Sequence, residues 1–167
     1  LSVQGEGTTT LTGAADDSGA FTATLRTPSR ASLGLTGMTP ADLTITATDT
    51  ASGDNASTVV SVALLGFHAS GGFMEASVTR TWEFSGWILH PGKAIYGHYR
   101  FGGRTVANRR FGTPSGPCGT LTMRGPGIPN HLARLGTWRL QVDQNPTYKP
   151  KEKFASRSTF KVVPISR

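Results

Sequence analysis

The stretch LTITATDTASGDNASTVVSVALL, residues 43–65, decides the fold class. Leu43, Ile45 and Ala47 alternate with threonines, Ser52-Gly53-Asp54-Asn55 supplies turn chemistry, and Thr58, Val60, Val62 and Leu64 alternate on the return. A period of two sends successive side chains to opposite faces of an extended chain, and β-branched residues fit a pleated surface. The stretch therefore predicts a β-hairpin with one apolar face.

Upstream, residues 8–27 read as a second hairpin. Thr8 to Ala14 form one arm, Asp16-Asp17-Ser18-Gly19 the turn, and Phe21, Ala23 and Leu25 the apolar positions of the other arm. Residues 28–41, with Pro28, Gly34, Gly37 and Pro40, read as a connecting loop. Downstream, Gly66 to Gly72 marks a shift from threonine-rich to arginine- and aromatic-rich sequence, and a domain boundary is expected there. Beyond it, strands are predicted at Glu75–Trp82, Ala94–Phe101, Thr105–Phe111, Gly119–Arg124, Gly136–Asp143 and Ser156–Val163. The clearest has Trp138, Leu140 and Val142 on one face and Arg139, Gln141 and Asp143 on the other. The one candidate for a helical turn is His131 to Leu135.

The ITATD strand, the Gly/Asn turn and the STVVSV strand resemble the closing hairpin of bacterial immunoglobulin-like repeat modules, over about residues 19–64. That resemblance implies a secreted or cell-surface protein built from β-sandwich repeats. Residues 91–144, including PGKAIYGHYRFGGRTVANRRFG and GTWRLQVDQ, resemble an extracellular β-rich region of actinobacterial proteins that carries no assigned activity. The expected architecture is all-β: an acidic immunoglobulin-like module at 1–66, incomplete because it holds about four strands where such a sandwich needs about seven, then a basic β-sandwich module at 67–167.

Composition agrees with strands and turns. Among 167 residues there are 21 glycines and 10 prolines, and only 16% are charged, unlike a helical protein with Glu- and Lys-rich exposed faces. No run of about 18 apolar residues exists to cross a membrane as a helix. The chain starts at Leu1 with no basic-then-apolar leader, so a processed or trimmed end is expected. Charge is divided unevenly. Residues 1–66 hold two basic and six acidic side chains, a net of −4, whereas 67–167 hold 15 basic and four acidic, a net of +11.

Candidate chemistry is sparse. Cys118, the lone cysteine, excludes an internal disulfide and could act as a nucleophile only with His131 and Asn130 or Asn145 beside it. It sits in a turn feeding a strand, which favours a structural role. His68, His90, His98 and His131 lack the spacing that sets two imidazoles on one metal, and His98 shares a strand face with Tyr96 and Arg100, the position of a cross-strand neighbour. Asp16, Asp17, Asp49 and Asp54 lie in turns, where calcium ligation and plain turn propensity both account for them. Asn55-Ala56-Ser57 matches a glycosylation sequon within a turn. Glu75, Glu83, Asp143 and Glu152 form no pair in sequence, and neither a nucleophile elbow nor a phosphate loop is present.

Two groups suit ligand contact. Arg100, Arg104, Arg109 and Arg110, with Lys149, Lys151 and Lys153, form a candidate basic patch for a polyanion or an acidic neighbour. Trp82 and Trp138 fit the core, which leaves Trp87 and Tyr148 as candidate exposed rings for stacking on a glycan. The expected function is a non-catalytic structural or adhesive module outside the cell, without a cofactor, whose partners are other copies of itself or neighbouring domains of the same surface protein. Head-to-tail assembly would follow from an unpaired sheet edge in the first module and the opposite charges of the two halves. The alternatives are a carbohydrate-binding module of a secreted hydrolase and a polyanion-binding surface protein.

Overall fold

The computed structural model describes residues 2–4, 9–24, 26, 28–29, 31–71, 78–129 and 134–163. The fold is all-β, and the chain divides into two compact units, Leu1–Ala63 and Leu64–Arg167.

The first unit carries β1 (Ser2–Gln4), β2 (Thr9–Thr10), β3 (Ala41–Thr48) and β4 (Asn55–Val62) in one antiparallel sheet ordered β2-β1-β3-β4. β3 and β4 form the hairpin expected from their alternation, in register from Ala41 opposite Val62 to Thr48 opposite Asn55. Its turn is closed by Asp49 N–H to the Asp54 carbonyl at 2.8 Å, with Gly53 at φ 80°, where a side chain would be strained. Leu43 and Met38 are the buried apolar residues of this unit among those described. The expected hairpin at 8–27 is corrected in part. The turn forms, with Asp16 N–H bonded to the Ala20 carbonyl at 2.9 Å, but residues 11–16 and 20–24 build no ladder. The arms offer mainly Ala, Gly and Thr, and Phe21 remains 38% exposed, so too little apolar surface is buried to hold two strands together.

The second unit holds β5 (Gly66–Ala69), β6 (Thr79–Ser85), β7 (Ile95–Phe101), β8 (Arg104–Gly112), β9 (Leu121–Pro126), β10 (Gly136–Asp143) and β11 (Ser156–Val162). They form a three-stranded sheet ordered β5-β6-β9 and a four-stranded sheet ordered β11-β10-β7-β8. In chain order this is the pairing of an immunoglobulin-like sandwich whose fourth strand stays beside the third instead of joining the first sheet. Gly66–Ala69, expected as a boundary, is a strand paired to β6 from Gly66 opposite Ser85 to Ala69 opposite Trp82.

The two sheets share one aromatic core. Trp82 of β6 and Phe111 of β8 meet with ring centroids 4.9 Å apart, and Trp138, Leu140 and Val142 of β10 are at most 1% exposed. A sandwich in each half was expected; the second unit is one, while the first has a single sheet among the described residues.

Candidate functional site

The outer face of the four-stranded sheet is built by strict alternation. On β10, Arg139, Gln141 and Asp143 point away from the core that Trp138, Leu140 and Val142 fill. Register sets Arg139 opposite Arg100 of β7 and Thr159 of β11, and Gln141 opposite His98 and Arg157. The loop 144–155 between β10 and β11 returns over this face and supplies Tyr148.

Beneath that loop lies a polar cluster in which His98, Gln141 and Asp143 are buried and Asn108 stands exposed at the rim. His98 faces the Asp143 carboxylate through Nε2 at 3.2 Å and the Asn108 side-chain oxygen through Nδ1 at 2.7 Å. When protonated, the ring can donate to both flanking oxygens at once. Burial by itself would push the His98 pKa down, but the hydrogen bonds to Asp143 and Asn108 and the carboxylate charge outweigh it and hold the ring above its usual 6.5. For Asp143, burial opposes ionisation, yet hydrogen bonds from His98, from Gln141 (2.8 Å) and from the Asn145 N–H (2.8 Å) hold it below the usual carboxylate value. Gln141 also donates to the Lys149 carbonyl at 2.9 Å, so the cluster ties the covering loop to the sheet.

The basic residues divide. Arg100 stacks on Tyr148, its guanidinium carbon 4.5 Å from the ring centroid. Arg110 lies on the same face and donates to Thr113, and Arg104 is exposed at the β7–β8 turn. Lys149, Lys151 and Lys153 are exposed on the loop, Lys149 donating to Asn145 and Lys153 lying 5.3 Å from the Phe154 ring. Arg109 leaves the patch. Alternation turns it inward beside Phe111, its guanidinium carbon 5.1 Å from that ring, and it donates to the Pro126 carbonyl at 2.6 Å.

Trp87 requires a second correction. It is 2% exposed and donates its indole N–H to the Gly66 carbonyl at 2.8 Å, because the 115–120 turn folds across residues 86–87 and seals the ring inside. Tyr148 is half-buried, and its stacking partner in the structure is Arg100. Sequence reasoning passed over Arg139 and Arg157 as ligand contacts, although the alternation of β10 already marked Arg139 as outward-facing.

Of the remaining candidates, Cys118 is buried in the 115–120 turn, and His131 and Asn130 lie outside the described residues. Asn145 is engaged with Glu152 at 2.8 Å. Asp16 accepts from Ser18 and the Ala20 N–H, and Asp49 from the Ala51 N–H and Ser52, so both carboxylates serve their own turns. Among the described residues no three His, Cys, Asp or Glu gather as a metal site.

A different kind of surface appears in the first unit, where β4 ends its sheet. Seven of its eight residues are exposed, Val59 at 60% and Val60 at 42%.

No family model, curated protein or solved structure matches this chain.

Proposed function

We propose that the chain is a non-catalytic extracellular module of a structural or adhesive protein, joined to its neighbours by strand addition at β4. The observation that carries this reading is the edge itself. β4 is eight residues long, flanked by a strand on one side only among the described residues, and paired without a bulge. Its sequence, Asn55 to Val62, contains no charge and no proline. Natural sheets protect such edges with lysine, proline, bulges or a covering loop, because the free backbone N–H and C=O groups template another strand. An eight-residue edge bearing exposed valines and none of these devices is suited to strand addition, the mode in which main-chain hydrogen bonds provide affinity and side chains provide register.

The partner is a second copy. Net charges of −4 and +11 on the two halves favour approach of the first unit of one chain to the second unit of the next, and a head-to-tail contact that does not close grows as a filament. The threonine- and glycine-rich first unit and its resemblance to bacterial surface repeats support a place outside the cell. Light scattering across a concentration series, at low and at high salt, tests the assembly. The mean mass rises with concentration, more steeply at low salt, and Val59→Lys, which sets a charge on the exposed edge, abolishes the rise. A strict monomer at both salts and at high concentration overturns the reading.

A further inference from the structure

Three arginines converge on the outer face of the second unit without a counter-charge. Arg100 and Arg139 are directly opposite on adjacent strands, and Arg157 lies diagonal to Arg139 across the β10–β11 pair. With Tyr148, Gln141 and Thr159 they line a groove of about 350 Å³. Like charges directly opposite in a sheet repel, so the arrangement costs stability unless something negative lies between them. None of the three comes within 4.0 Å of a carboxylate among the described residues. The nearby Asp143 is already engaged by His98, Gln141 and the Asn145 N–H.

Two of the guanidinium groups are held in place in advance. Arg157 donates through Nε to the Gln141 side-chain oxygen at 3.1 Å and through a terminal nitrogen to the Glu152 carbonyl at 2.8 Å. Arg100 is fixed by its stack on Tyr148 and a hydrogen bond to the Gly103 carbonyl, and its Nε is buried with no hydrogen-bond partner among the described residues. A buried donor left unmade is costly and is usually satisfied by water, an ion or a ligand. Arg139 is exposed and its side chain makes no hydrogen bond among the described residues, so its guanidinium is free to turn toward a ligand. Planar guanidinium forks match tetrahedral oxyanions through paired N–H donors, which a lysine cannot do.

We propose that this groove is a binding site for a sulfate or phosphate ester carried on an acidic carbohydrate, with Arg100, Arg139 and Arg157 gripping the oxyanion. The size suits one charged sugar residue, and Lys149, Lys151 and Lys153 on the adjoining loop extend the positive field along a polymer. The site lies in the second unit and is independent of strand addition at β4, so each stands or falls by its own test.

Calorimetric titration of the whole chain at physiological salt, with a heparin-derived hexasaccharide, inorganic sulfate, inorganic phosphate and a single-stranded hexadeoxynucleotide as separate probes, decides the matter. The hexasaccharide binds. Arg139→Gln weakens it by at least about tenfold, the scale of a charge-assisted hydrogen bond, while Arg104→Gln and Arg110→Gln, on exposed arginines outside the groove, change it by less than about twofold. Arg139→Lys restores only part of the loss, because the charge returns without the fork. Inorganic sulfate or phosphate binding with the same Arg139 dependence, in the absence of hexasaccharide binding, keeps the oxyanion site and names a free anion as its source. Equal losses for all three Gln variants indicate diffuse charge attraction and overturn the proposal, as does tighter binding of the oligonucleotide than of the hexasaccharide, or silence from every probe. Circular dichroism of each variant verifies the fold.

Discussion

At the scale of single residues, the buried His98–Asp143 pair makes stability depend on pH in a defined sense. His98 has its folded pKa raised above 6.5, so its contribution is complete below 6.5 and disappears as pH rises through the folded value. Asp143 has its folded pKa lowered below 3.8, so its contribution is complete above 3.8 and disappears as pH falls through the folded value. The pair therefore stabilises most between these two ordinary values, and the second unit loses stability from pH 6 to pH 8. Urea melts at pH 5, 6, 7 and 8 read the slope, and His98→Gln flattens it; an unchanged slope in that variant refutes the pair as its source. Half of this cluster was legible beforehand. The alternation of Trp138 to Asp143 put Gln141 and Asp143 on one outward face, and that of Tyr96 to Arg100 did the same for His98. Their meeting was not legible, because the 45 residues separating His98 from Asp143 are closed by strand register, which no local pattern encodes. Trp87 failed for a related reason: its burial comes from a turn about 30 residues downstream.

Elements with a long alternating pattern emerged from sequence with little error, and those made by their neighbours did not. β10 was expected at its observed bounds, and β7 and β11 differ by one residue at one end. β5 was missed because four residues opening with a glycine carry no periodicity of their own; they are a strand because β6 offers Phe84 and Trp82 to pair with Phe67 and Ala69. The turn at 115–120 shows the same dependence. Its Gly119 sits at φ 54°, and a β-carbon there would stand 2.5 Å from the Trp87 carbonyl carbon. Left-handed backbone costs a non-glycine residue roughly 1–2 kcal/mol, and the clash with backbone adds to it. Gly119→Ala is expected to destabilise the second unit by more than about 2 kcal/mol in denaturant melts, whereas Gly116→Ala, also at positive φ but with open space around it, costs only the conformational part.

For the molecule as a whole, the two units differ in what holds them. The second is closed around a continuous core of three tryptophans, each at most 2% exposed, while Leu43 and Met38 are the buried apolar side chains described in the first. Hydrophobic stabilisation follows buried apolar area, so the first unit melts earlier. All three tryptophans and all three tyrosines lie between residues 82 and 148, so near-ultraviolet fluorescence is blind to the first unit. On heating a dilute sample, far-ultraviolet circular dichroism resolves two transitions and tryptophan fluorescence only the later; coincident curves from both probes contradict this. Cys118, the single cysteine of the chain, adds a consequence at the same scale. The residue is 7% exposed and held in a turn whose Cys118 and Gly119 carbonyls accept from the Gly86 and Trp87 N–H groups. Oxidation of the thiol by any outside reagent must wait for that turn to lift, so the only sulfhydryl keeps time for local opening.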